Sequence, residues 1–196
     1  MAFDINTFRA GMKYDGQRPN LFEVTMTPDT DWAKMAGLNL MCKGTSIPGA
    51  TLGTVIVPYF GREVKLAGNR TFPEWTITVL NDENFAIRSQ FERWMNFIND
   101  HGDNTRGSNN STAYVTKGQV KQFSKIGTGT PSAEYSFINM FPTDLSEITL
   151  DWGDNDTIEE YTVTFAYDYW TRIKSPMTGG SGTIADAIVQ GTASSA

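Results

Sequence analysis

The chain has 196 residues, of which 39% are hydrophobic and 12% aromatic, and its formal net charge is −6. This length favours one domain with a sizeable core, and the low charged fraction of 19% argues against disorder throughout the chain. The acidic balance argues against tight nucleic-acid binding, because proteins that bind nucleic acid neutralise its phosphates with clustered Lys and Arg.

The first predicted elements are strands, indicated by alternating apolar and polar residues. Residues 20–26 (NLFEVTM) alternate in this way and predict a half-buried strand. Residues 38–47 alternate again, and Pro48 and Gly49 then mark a turn. The beginning of the chain is therefore predicted to contribute two strands.

A long hairpin is predicted at about residues 54–80. Its strands are TLGTVIVPYF and FPEWTITVLN, and GREVKLAGNR forms its distal part. Gly61, Gly68 and Asn69 offer the positive φ angles that turns in this distal part require. The basic residues there are Arg62, Lys65 and Arg70. The sequence thus predicts a protruding hairpin with a basic tip on an acidic protein.

The clearest helix is predicted at about residues 82–101. Asn81 is a favourable N-cap, and Leu80 is placed to pack against Phe85 in the first turn. An apolar stripe follows at helical spacing, formed by Ile87, Phe91, Trp94, Phe97 and Ile98. Gly102 lies at a position where helices commonly end.

The second half of the chain is predicted to be mostly strand. Alternation predicts strands at residues 113–123, 133–141, 146–152 and 159–170, of which the last is the most regular. Because helices and strands do not alternate along the chain, a parallel sheet is disfavoured. We predict a mainly β (β-rich α+β) fold, an antiparallel β-sandwich or barrel with one packed α-helix, over residues 1–174. Residues 175–196, rich in Gly, Ser and Ala, are predicted as a flexible tail.

The sequence shows no catalytic or metal-binding side chains in a functional arrangement. His101, the only histidine, falls at the predicted helix end, where an imidazole suits the last carbonyl groups. The acids from Asp151 to Glu160 fail the calcium-loop pattern because Gly153 comes too early, so a solvated turn is favoured. Cys42, the only cysteine, is predicted as a buried structural thiol. No enzyme activity and no cofactor are predicted.

The sequence also shows no secretory signal and no membrane-spanning stretch. The N-terminus lacks the basic and apolar regions of a secretory signal. No apolar stretch approaches the roughly 18 residues that are needed to span a membrane. We therefore expect a protein without a membrane segment that folds in a reducing cytoplasm.

The charge of the predicted hairpin suggests self-assembly. Exposed strand edges can pair with other chains, and a basic tip on an acidic body favours head-to-tail contacts between copies. Contacts of this kind generate rings or filaments. A solvated surface hairpin is the alternative, and composition alone does not rank the two.

Several motifs together are typical of one family. In chain order they are RPNLFEVTM, KGTSIPGATLG, VPYFGREVKLAGNRTFPEWTITVLNDENF, MFPTDLSEITLDW and DTIEEYTVTFAYDYW. In these motifs the chain resembles the tail tube proteins of contractile-tailed bacteriophages over most of residues 1–174. The resemblance implies a structural virion protein of the phage tail, assembled in the cytoplasm of the host bacterium.

The resemblance also implies how copies of the chain assemble. In that family hexameric rings stack helically into a hollow tube, inner sheets of neighbouring subunits join into a β-barrel, and a long hairpin reaches the adjacent ring. Residues Tyr59 to Thr71 resemble that hairpin. The candidate contact residues are Tyr59, Phe60, Gly61, Arg62, Val64, Lys65, Leu66, Gly68, Asn69 and Arg70.

The implied partners are the other components of such a tail. They are the tail sheath protein, the tape-measure protein, the baseplate hub or tube initiator, and the tail terminator. DNA is expected to pass through the lumen without specific binding, since an acidic lumen repels phosphates. The candidate lumen or interface acids are Asp151, Asp154, Asp156, Glu159 and Glu160.

Two other hypotheses remain at this point. A ring or tube component of a type VI-like secretion or phage-tail-like bacteriocin apparatus has the same fold, and neighbouring genes would separate it from a phage protein. An acid-pair glycosidase would use Asp151, Asp154 or Glu160. This hypothesis is disfavoured because neither a cleft nor a supporting motif is predicted.

Overall fold

The computed structural model of the chain describes residues 4–12, 16–27, 37–125 and 129–174. The predicted tail, residues 175–196, lies outside the described part, so the domain boundary at residue 174 stays a prediction. None of the described helices is long and apolar enough to cross a membrane.

The described residues form three α-helices and nine β-strands. The helices are α1 (Ile5–Gly11), α2 (Leu38–Met41) and α3 (Ala86–Ile98). The strands of the first half are β1 (Phe22–Thr27), β2 (Cys42–Thr45), β3 (Thr51–Tyr59), β4 (Arg62–Thr71) and β5 (Trp75–Leu80). Those of the second half are β6 (Thr116–Phe123), β7 (Pro131–Leu145), β8 (Glu160–Ala166) and β9 (Tyr169–Lys174).

All strand pairs are antiparallel, and β7 joins the two halves of the main sheet. The order is β1-β6-β7-β8-β5-β2, with β9 also pairing with β7. The first ten residues of β7 lie in the part that pairs with β6 and β9, whereas its last five lie in the part that pairs with β8. Asn139, with a φ of +55°, lies near this change of partner. This confirms the predicted mainly β, antiparallel fold with a packed helix.

An aromatic cluster forms the centre of the core. The Phe165 ring of β8 lies 5.5 Å from Trp75 and 5.9 Å from Phe91, measured between ring centroids. Trp94 of α3 lies 6.2 Å from the same ring, and its indole N–H donates to the Tyr114 carbonyl oxygen at 2.7 Å. Trp75, Phe91, Trp94 and Phe165 are each at most 1% exposed. The inward face of β5 is thus confirmed as core, as are Ile87, Phe91 and Trp94 of the α3 stripe. Ile98 is partly buried against the core, and Phe97 is not part of it.

The helix α3 is shorter than predicted at both ends. Asn81 does not cap it, because the backbone N–H and side-chain amide of Asn81 donate to Glu159 at 2.9 and 2.8 Å and extend the β5–β8 ladder. Phe85 instead precedes the helix with a φ of +51°, and the Asp82 carboxylate accepts from the Ala86 N–H. The chain becomes extended at Asn99, so Gly102 does not end the helix.

Three of the predicted strands differ in the structure. Residues 38–41 form a helical turn, and the strand begins only at Cys42. Residues 146–152 form no strand. The predicted strand 159–170 is two strands, because the chain turns at Asp168. There the Asp168 N–H donates to the Ile138 carbonyl oxygen, and its carboxylate accepts from the Asn139 amide at 2.6 Å.

Cys42 is buried as predicted, and its thiol donates to the Gly44 carbonyl oxygen at 3.5 Å. Burial raises the pKa of this thiol from 9.0 to about 11. The folded state therefore retains the proton more strongly, so the stability that Cys42 contributes is complete below pH 9 and is lost as the pH rises towards about 11. We expect slow reaction of native Cys42 with a disulfide reagent at pH 8 and fast reaction in denaturant. Fast reaction in the native state would contradict its burial.

Candidate assembly interface

The hairpin is formed by β3 and β4, which among the described residues pair only with each other. Tyr59 pairs with Arg62, leaving Phe60 and Gly61 as a two-residue turn with φ angles of +46° and +76°. Two successive left-handed residues are the geometry that suits tight hairpins. The prediction that residues 72–81 supply the returning strand was wrong, because they belong to β5 in the core.

Gly68 and Asn69 do not serve as turn residues, contrary to the prediction. Among the described residues of the hairpin, only Phe60 and Gly61 have positive φ angles. A Cβ atom on Gly68 would lie 3.1 Å from the backbone carbon and oxygen of Gly53. The strand register shifts at this point, between Leu52 and Thr54. Gly68 therefore allows the two backbones to approach closely at an irregularity in the ladder.

Apolar side chains cover much of the hairpin, and they are exposed. Opposed residues of an antiparallel pair share a face, so one face bears Val55, Val57, Tyr59, Arg62, Val64 and Leu66. The other face bears Thr54, Ile56, Pro58, Glu63, Lys65 and Ala67. Every residue of both strands except Gly68 is exposed. Isolated two-stranded hairpins are marginal in water, and continuous exposed apolar surface marks a site of interaction.

The tip of the hairpin is its most exposed apolar point. Phe60 is 89% exposed, and its ring meets the Tyr59 ring edge-on at 4.6 Å between centroids. A left-handed φ costs a bulky residue about 1 kcal/mol, and Asn would suit this turn position better. A strained, solvent-exposed aromatic residue favours the hypothesis that this tip contacts another molecule.

The base of the hairpin is fixed to the body by Trp170 of β9. The Trp170 indole N–H donates to the Gly49 carbonyl oxygen at 2.9 Å, just before β3 begins. The same ring meets Phe72, just after β4 ends, at 6.4 Å between centroids. Both ends of the hairpin are therefore anchored at one point, while the remainder extends away from the core.

The charge of the hairpin is opposite to that of the whole chain. Residues 51–71 contain three basic side chains and one acidic one, a net charge of +2, whereas the chain carries −6. Arg62 lies beside the turn and Lys65 three positions further on, whereas Arg70 pairs with Leu52 near the base, so the predicted basic tip does not include Arg70. The hairpin is thus suited to contact an acidic surface with apolar content.

The five candidate acids fall into two groups. Glu159 accepts from the Asn81 amide and Glu160 forms an ion pair with Lys43, so both are tied to the sheet. The loop acids are Asp151, Asp154 and Asp156, all exposed. Asp151 accepts from the Gly153 N–H at 2.8 Å, which is ordinary turn geometry. Among the described residues, no group of three His, Cys, Asp or Glu side chains could hold a metal ion.

The loop between β7 and β8 contains a second apolar surface that the sequence patterns did not reveal. Trp152 is 100% exposed, Leu150 is 79% exposed and Ile158 is 66% exposed. They border an open cavity of about 600 Å³ lined by residues between 147 and 160. Residues 146–152 alternate like a strand, and that pattern concealed the exposed loop.

Apolar side chains of α1 and of the residue after it are also exposed to solvent, namely Ile5, Phe8 and Met12. Asp4 caps the helix by accepting from the Asn6 N–H at 3.0 Å. The signal available in the sequence was an N-cap, Asp4, followed by apolar residues one, four and eight positions further along.

The comparisons with known proteins agree with one another. A family model described as phage tail tube protein matches residues 17–173. The chain is 32% identical over 164 residues to the tail tube protein gp19 of Enterobacteria phage T4, covering 83% of this chain and 95% of that protein. It is 26% identical over 168 residues to the tail tube protein of Serratia phage KSP90, covering 83% and 93%.

Solved structures show the same fold at low sequence identity. One is the sheath–tube complex of an extracellular contractile injection system in its extended state, with a TM-score of 0.56 at 17% identity. The alignment covers 86% of this chain and 98% of that one. Another is the tube terminating cap of the anti-feeding prophage, with a TM-score of 0.59 at 18% identity over 80% and 90% of the two chains.

Proposed function

This chain belongs to the phage tail tube protein family, and we propose that its copies stack into the hollow inner tube of a contractile phage tail. The observation that carries this proposal is the hairpin β3–β4, whose apolar faces are exposed in the single chain. Contact with another copy removes that surface from water. Each 100 Å² of apolar surface so buried contributes about 2.5 kcal/mol before the costs of association.

Closed rings of six copies are the proposed unit of the tube. The main sheet offers backbone edges for lateral pairing, since β1 and β2 lie at its two ends. Lateral pairing of such edges between neighbours would close the sheets into a barrel around a lumen, which removes the exposed edges altogether. The hairpin then supplies the contact between successive rings, and heterologous contacts of this kind extend without limit.

The lumen is proposed as the path of DNA during ejection. The net charge of −6 disfavours phosphate binding, so DNA would slide without being held by the wall. The remaining proposed partners are the tail sheath, the tape-measure protein, the baseplate hub or initiator, and the tail terminator. The role is structural, with no enzymatic step assigned to any residue, and the location is the virion after assembly in the host cytoplasm.

Identity to phage proteins favours this role over a secretion or bacteriocin apparatus. The likeness to injection-system tubes extends to the fold alone, because those chains are at most 18% identical. The 32% identity to a phage tail tube protein covers nearly all of that relative.

Electron microscopy of the purified chain at increasing concentration tests the proposal. We expect hollow tubes or stacked rings, with six-fold end-on views. Sedimentation velocity on the same samples measures the concentration at which they form. The proposal would be contradicted if only small particles formed at every concentration, both for the chain alone and after baseplate proteins are added to nucleate assembly.

A further inference from the structure

The hairpin and the acidic loop lie at opposite ends of the same sheet. Trp75, the first residue of β5, pairs with Phe165, and Leu80, the last, pairs with Glu160. The hairpin leads directly into the Trp75 end, whereas the loop of residues 146–159 leads into the Glu160 end. Five residue steps of β-strand separate the two ends by about 17 Å. Copies stacked in one orientation along this direction would therefore place the hairpin of one against the loop of the next.

The chemistry of the two surfaces is complementary. The loop and the first residue of β8, residues 146–160, carry six acidic side chains and no basic one. The hairpin carries a net charge of +2 and ends in the exposed rings of Tyr59 and Phe60. The cavity of about 600 Å³ in that loop has a mixed polar and apolar lining, and the exposed Trp152 side chain on its border offers those rings an apolar contact. Opposite charge around an apolar centre is the common anatomy of a specific protein interface.

We propose that the β7–β8 loop, residues 146–159, receives the hairpin tip of a neighbouring copy, with Phe60 packed beside Trp152 and Arg62 among the loop acids. This inference rests on the proposed tube and names the surface that its axial contact uses. The length of the hairpin agrees with the proposal, because β3 alone spans about 27 Å, longer than the separation across β5. The loop acids then serve as interface residues.

Cross-linking between copies tests the docking directly. The chain with Glu63→Cys and Asn155→Cys places one thiol near the hairpin tip and one in the loop, without removing any proposed contact residue. A short bis-maleimide applied to its tubes is expected to yield a ladder of covalent multimers on a denaturing gel. The matched control pairs Glu63→Cys with Asp103→Cys, an exposed position outside the loop, and is expected to stay monomeric. Cys42 is buried and contributes no background.

Charge removal gives a second readout that does not depend on new cysteines. Asp154→Asn with Asp156→Asn is expected to raise the concentration needed for assembly about two- to fivefold for each charge removed, and less at high salt. Glu83→Gln with Asp103→Asn is the control, with the same loss of charge elsewhere on the surface, and is expected to change it little.

The outcomes separate this inference from the proposed function. Tubes without a ladder, or equal effects of the two charge-removal variants, would overturn the docking of hairpin to loop while leaving the tube intact. Failure of the unsubstituted chain to form tubes would contradict the proposed function, and this inference with it. A ladder in the control variant equal to that in the loop variant would also overturn the docking.

Discussion

Each of the substitutions Val57→Glu and Leu66→Glu is expected to abolish tube assembly while leaving the single chain folded. Both side chains lie on the same face of the hairpin, 42% and 52% exposed. In the proposed tube this face is buried, and an unpaired carboxylate there would cost several kcal/mol. The concentration needed for assembly should rise at least about 100-fold. Sedimentation velocity measures that concentration, and circular dichroism checks the fold.

Because the hairpin lies outside the core, loss of assembly can be measured separately from loss of folding stability. Because neither residue belongs to the core, each substitution should change the free energy of unfolding by about 0.5 kcal/mol or less. Thr112→Glu introduces the same charge at an exposed position outside the hairpin and is expected to assemble normally. Normal assembly of Val57→Glu would show that this face of the hairpin stays in water.

Phe165→Ala is expected to cause the largest loss of stability among single substitutions in this chain. Phe165 is fully buried and its ring meets Trp75, Phe91 and Trp94, so its removal leaves a cavity at the centre of the core. Substitutions of this kind cost about 3–5 kcal/mol. Chemical denaturation of the unassembled chain measures the difference.

Phe60→Ala is the matched control, since it makes the same change at the hairpin tip. Phe60 is 89% exposed, so its truncation should leave the free energy of unfolding within about 0.5 kcal/mol. Phe60→Ala should nevertheless weaken assembly. Phe165→Ala is thus expected to have the larger effect on folding stability, and Phe60→Ala to act on assembly without it. Equal losses of stability at the two positions would show that the tip is packed against the body.

The fold could be predicted where burial imposes a period on the sequence. In β5, Trp75, Ile77 and Val79 are buried and alternate with polar residues, so the strand and its inward face are visible locally. The stripe of α3 is visible for the same reason. Mainly antiparallel structure then follows because strands succeed one another without helices between them.

Strand pairing could not be predicted from the same patterns. The segments REVKLAGNRT and FPEWTITVLN both alternate, and local periodicity does not say which one pairs with β3. The decisive feature is the turn at Phe60–Gly61, where a phenylalanine adopts a conformation that its own preference disfavours. The start of α3 was missed for a related reason, because Asn81 is held by Glu159, 78 positions along the chain.

The candidate site was predicted in part. The exposed apolar hairpin and its basic charge agree with the sequence, whereas Gly68 proved to be a point of close approach and not a turn. Trp152 was missed, since an exposed tryptophan in an alternating segment is indistinguishable from a strand residue until the loop is seen. Which copy each surface contacts depends on the assembly, so those roles stay predictions.

Cryo-electron microscopy of the assembled tube, at a resolution that traces the chain, tests the central claim that the hairpin joins successive copies. We expect residues 51–71 to lie against the neighbouring copy along the tube axis, with Val57 and Leu66 buried and the Phe60 ring beside a loop of that copy. A tube in which these residues face only solvent, on the outer wall or in the lumen, would contradict the claim.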